Sequence, residues 1–150
     1  MKARLGHLVR RREEGSTLIL ICFYSMLALL LVLVVTAASS LYLERKRLFS
    51  LADGAALVGA EAFDLSDVRV DGGTLSVDLD PAAVHDAVAG YLRVAPTGAF
   101  EDLRIERATS DDGRSATVQL SAMWRPPVLT LLLPEGVRLD VTSIARSVFG

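Results

Sequence analysis

Residues 16–43 read STLILICFYSMLALLLVLVVTAASSLYL, 28 positions without a charged side chain. About 20 apolar residues of helix cross a hydrocarbon core of about 30 Å, so the run is longer than one span requires. In lipid a lone segment must satisfy its own peptide groups, which leaves it only the helix. The stretch therefore predicts a transmembrane helix over 16–43, with everything after it an anchored domain. A secretory signal peptide is the competing reading, because basic residues precede an apolar run and Ala37-Ala38-Ser39-Ser40 imitates a cleavage site. Signal peptides, however, use an apolar core of about 7–15 residues, shorter than this one.

Outward from the span, residues 1–15 form a basic leader with Lys2, Arg4, Arg10, Arg11 and Arg12 against Glu13 and Glu14. Arg45, Lys46 and Arg47 follow the span. Basic flanks are retained in the cytoplasm, so five against three predicts a single-pass protein of the cytoplasmic (inner) membrane, N-terminus in and C-terminal domain out. Of 150 residues, roughly 85–105 remain for one small domain. Sixteen basic and 18 acidic residues give a net charge of −2, which argues against an extended nucleic-acid surface. The sole cysteine, Cys22, lies inside the apolar run, so the domain has neither a disulfide framework nor a thiolate metal site.

The helix is predicted to continue over 44–63 as a membrane-proximal amphipathic segment ending near Phe63. Leu48, Leu51, Ala52, Ala55, Gly59 and Ala62 recur at three- and four-residue spacing and share one face. Alanine and glycine permit close backbone approach, so this face suits packing under the protein's own sheet or pairing with another anchored helix. Tyr42, Arg45, Lys46 and Arg47 suit the headgroup level, where amphipathic rings and basic heads are favoured.

Residues 64–150 alternate as strands do. Val68 and Val70 lead through Asp71-Gly72-Gly73-Thr74 to Leu75, Val77 and Leu79, a hairpin. Asp80-Pro81 opens a helix, with aspartate as cap and proline at the first position, and Val84, Ala87, Val88, Tyr91 and Leu92 form its apolar stripe. A strand with Leu103 and Ile105 turns at Asp111-Asp112-Gly113, after an exposed Ser110, into Ala116, Val118, Leu120, Ala122 and Trp124. Val137, Leu139 and Val141 mark a last strand. The fold class is α+β: a transmembrane helix continuing into a long amphipathic helix, packed with a small antiparallel sheet. Between prolines, Val128 to Leu133 reads either as a buried core segment or as an exposed contact patch.

Glu14-Gly15-Ser16-Thr17-Leu18-Ile19-Leu20 resembles the site cut by prepilin peptidases, after a glycine at the cytoplasmic face. In ordinary type IV pilins the fifth residue after the cut is glutamate, whereas Leu20 holds that place here. Gly15 and Ser16 are thus a processing site or merely the end of a flexible leader. Arg10-Arg11-Arg12-Glu13-Glu14-Gly15-Ser16 before the span, and Leu41-Tyr42-Leu43, Arg45, Leu48, Ala52-Asp53 and Ala55-Ala56-Leu57 after it, resemble the TadE/TadG-like proteins of Tad (Flp) pilus assembly, especially the short actinobacterial forms. The resemblance implies a pilin-like fold, a pseudopilin-like minor subunit or assembly factor of a pilus or related secretion system, and other such subunits as partners, in homo- or hetero-oligomers through the anchored helix.

Chemistry needs converging polar groups, and few converge here. His7 lies in the leader and His85 on the exposed side of a short helix, so no histidine pair is available for metal or general-base work. Asp71, Asp78, Asp80, Asp111 and Asp112 stand in or beside turns, where aspartate supports the backbone, and none follows EF-hand spacing. No enzyme, cofactor or resident metal is expected. The rival expectation is a membrane-tethered envelope binding or sensor domain that uses the helix as a simple anchor.

Overall fold

A computed structural model describes residues 6–64, 68–71, 74–126 and 135–147. In chain order the elements are α1 (Gly6–Ala60), β1 (Val68–Asp71), β2 (Thr74–Val77), α2 (Pro81–Val94), β3 (Glu101–Ser110), β4 (Ser115–Trp124) and β5 (Val137–Arg146). This is the predicted order of helix, two strands, helix and three strands. The chain divides into two compact units, residues 1–39 and 40–150.

In the first unit, the large apolar side chains from Leu18 to Val35 are almost all exposed, Leu18 at 66% and Ile19 at 71%. A helix that exposes large apolar side chains all round is built for an apolar solvent. Thr36 Oγ1 donates to Val32 O at 2.8 Å, so this hydroxyl is satisfied within the helix. By length and composition α1 is the single candidate membrane span among the described residues.

In the second unit, α1 ends at Ala60 rather than near Phe63. Ala62 N donates to Gly59 O at 3.2 Å, an i to i−3 bond that tightens the last turn. β1 and β2 pair antiparallel as a two-stranded hairpin, while β3-β4-β5 form a separate antiparallel sheet with β4 central. The hairpin reaches the turn after β3 through Leu79 N, which donates to Gly113 O at 2.8 Å. Pairing stops there because Asp80 caps α2, its Oδ2 accepting from Ala83 N at 3.2 Å, and Pro81 has no N–H to donate.

Along β4, Ala116, Val118, Leu120, Ala122 and Trp124 point to one side and are buried; Val141, Ser143 and Ala145 of β5 do the same. This face packs against Leu48, Ala52, Ala55 and Ala56 of α1 and Val84 and Val88 of α2 in a single core. The other face of the sheet is mostly polar, as expected of an antiparallel sheet covered on one side.

Candidate functional site

The predicted small-residue face lies in the domain's own core. Leu48, Ala52 and Ala55 are fully buried and Leu51 nearly so. Gly59 makes the closest approach: a Cβ built there would stand 3.1 Å from Ala116 Cβ, 3.2 Å from Val84 Cγ1 and 3.4 Å from Val88 Cγ2. Two polar clasps flank the face: Ser143 Oγ donates to Asp53 Oδ1 at 3.0 Å, and Trp124 Nε1 donates to Ser40 Oγ at 3.3 Å. The sequence reading places Ser40 in the imitation cleavage site and Asp53 in the family motif, but assigns neither a packing contact. Asp53 sits between Ala52 and Gly54 in an otherwise small, apolar stretch, and that was the available signal.

Tyr42, Arg45, Lys46 and Arg47 are exposed on α1, Tyr42 at 65%. Arg47 Nη1 lies 3.8 Å from Glu44 Oε2, a loose pair one turn back. Gly15 and Ser16 stand inside α1, so the expected cutting position is helical backbone. Val128 to Leu133 and Gly72-Gly73 lie outside the described residues. Ser110, expected to be exposed, is 7% exposed because it closes β3 opposite the buried Ala116. His85 is exposed beside Asp86, at 3.6 Å.

At the turn between β3 and β4, Asp112 Oδ1 accepts from Arg114 N at 2.9 Å and Ser115 N at 2.6 Å. Those backbone donors hold its carboxyl below the usual carboxylate range. Gly113 has φ +67°, and a Cβ there would collide with the Asp78 carboxylate. Asp112 thus supports backbone, as its turn position suggested.

A polar chain crosses the outer sheet face. Ser121, fully buried, donates from Oγ to Glu106 and accepts from Arg138 Nη1 at 2.9 Å; Arg138 also donates to Asp102, which takes a second bond from Arg104 Nε at 3.1 Å. The bonds from Arg138 and Arg104 hold the Asp102 carboxyl below its ordinary value. Asp102 has φ 48° and lies where the β3–β4 register shifts, between Glu101 and Arg104. Exposed ion pairs contribute little stability, about 0–1 kcal/mol each, so these fix the bulge's geometry more than they stabilise the domain.

A cleft of about 330 Å³ opens in the second unit, lined by Arg47, Ser50 and Leu51 of α1, Tyr91 of α2, and Pro96, Ala99 and Phe100 of the loop into β3. It is mostly apolar, with one guanidinium and two hydroxyls at its walls. Among the described residues no group of three or more His, Cys, Asp or Glu is placed to hold a metal ion.

Residues 15–62 match the family described as "Putative Flp pilus-assembly TadE/G-like". The match takes in the span and the helical face, and it bears out the resemblance seen at the sequence level. It covers about a third of the chain, from Gly15 to two residues beyond α1. The family's description names pilus assembly, not a reaction. No curated protein and no solved structure matches the chain.

Proposed function

We propose that the protein is a membrane-anchored, pseudopilin-like minor subunit or assembly factor of a Tad/Flp-type pilus or a related secretion system, without chemistry of its own. The carrying observation is that the matched segment, 15–62, coincides with the apolar span and its continuation into the domain core. In this reading the helix over 16–43 lies in the cytoplasmic membrane, the leader faces the cytoplasm, and the domain contacts other pilus components outside. Core packing of Leu48, Ala52 and Ala55 leaves partner contacts to the exposed helix surface before them and to the outer sheet face. Processing after Gly15 belongs to the same proposal: the mature chain would begin at Ser16, 15 residues shorter in intact-mass analysis. The test is isolation of the tagged full-length protein in mild detergent from its own cells. Co-isolation of Tad-type pilus components supports the assignment; recovery without them, while the pilus still forms when the protein is deleted, contradicts it.

The cleft beside Tyr91 favours a second reading, a tethered envelope binding domain. That reading expects any apolar helix to serve as the anchor, whereas the first requires this one.

A further inference from the structure

The cleft of about 330 Å³ has a particular chemistry and a particular place along α1. Arg47 supplies a permanent cation, Ser50 and Tyr91 supply hydroxyls, and Leu51, Pro96, Ala99 and Phe100 supply apolar surface. Tyr91 is set by close packing: a Cβ on Gly54 would stand 2.5 Å from its hydroxyl oxygen, so glycine there lets the ring lie against α1. A guanidinium and hydroxyls above an apolar floor match a phosphate ester joined to an apolar body. Arg47 comes four residues after Leu43, the last of the uncharged run, about 6 Å of helix rise. Arg45 and Lys46 precede it, and both are exposed. Basic clusters immediately beside a span attract anionic lipid. Glu44 is the nearby carboxylate, but its contact with Arg47 is a single 3.8 Å approach that leaves other guanidinium N–H groups to donate.

We propose that this cleft holds the phosphate end of an anionic phospholipid, its phosphate on Arg47, Ser50 and Tyr91 and the start of an acyl chain on Leu51, Pro96, Ala99 and Phe100. The proposal rests on the anchored reading of residues 16–43. It makes the cleft a site that ties the domain to the lipid surface it leaves, independently of any pilus partner.

The test uses the full chain. Flotation with liposomes of phosphatidylcholine and phosphatidylglycerol first reads anchoring. The protein is then extracted from nanodiscs of the same lipids into mild detergent, and bound lipid is counted by native mass spectrometry. Phosphatidylglycerol retained at about one per chain, in preference to phosphatidylcholine, is the expected result. Arg47→Gln should lower that retention about tenfold, the size of a lost charge-assisted bond. Arg47→Lys should restore part of it, and Arg146→Gln, exposed on β5 and outside the cleft, should leave it unchanged. Ala99→Trp, which fills the cleft, should abolish retention while flotation persists. Equal retention of both lipids, equal loss in Arg146→Gln and Arg47→Gln, or no retained lipid on a chain that floats would overturn the lipid site alone. Displacement by millimolar inorganic phosphate would make it a free-phosphate site and overturn the lipid assignment. Failure to float would remove the anchored reading and this proposal with it.

Discussion

Gly59 shows how closely a stripe of small side chains packs. Its Cα stands where any Cβ meets Ala116 and Val84 at 3.1 and 3.2 Å, inside the domain core. Gly59→Leu should therefore destabilise the protein by about 1–3 kcal/mol, the usual range for overpacking a close contact. Thermal unfolding of the detergent-solubilised full chain checks this, and an unchanged transition would mean that the contact is not made. Asp102 supports a pH prediction. Arg138 and Arg104 hold its folded pKa below the ordinary carboxylate value of about 4, so its bonds add stability above that pH and lose it as pH falls through the folded value. Asn tolerates the left-handed φ that Asp102 adopts, so Asp102→Asn tests the charge without straining the backbone. Wild type should melt higher than Asp102→Asn near neutral pH, and the gap should shrink as pH is lowered through the acid range; a gap independent of pH would refute the ion-pair account.

Among elements, legibility followed the range of the interactions that make them. The long apolar helix, α2 with its Asp80 cap, and the alternation along β4 were readable, because an unbroken apolar run, a cap three residues away and a two-residue period are local physics. The hairpin's separation from the main sheet and the bulge at Asp102 were not, because they depend on residues farther along the chain, while the end of α1 at Ala60 and the burial of Ser110 rest on short-range bonds and pairing that the apolar pattern does not mark. Asp102 illustrates the limit: its partner Arg138 is 36 residues away, and no local pattern links them. For the site, the face on α1 was legible as small and apolar, with packing under the protein's own sheet as one of its two expected uses, but its contact with α2 was not, and the cleft arises only when the loop into β3 meets α1. The span itself admits a direct test. Leu29→Arg places a charge in its middle, a cost of about 2.5–3.5 kcal/mol on insertion scales, and should lower retention in the membrane pellet after alkaline carbonate washing. Release of the unaltered full-length chain by carbonate would contradict the anchor.

At the scale of the whole molecule, the basic bias of the flanks predicts which side of the membrane the domain occupies. Gly98 is a suitable reporter, since a side chain built there meets nothing within 4 Å. Gly98→Cys in a Cys22→Ser background should react with an impermeant thiol reagent on intact cells whose outer layers admit it; labelling only after lysis would place the domain in the cytoplasm. The central claim is that the helix over 16–43 assembles with other subunits and does more than hold the domain at the membrane. Replacing those residues with an unrelated apolar helix of equal length, in the native cells, tests it most directly, with membrane retention and surface pili read side by side. The account predicts that the chimera stays in the membrane and that pilus assembly is lost; full pilus assembly by a membrane-retained chimera would contradict it.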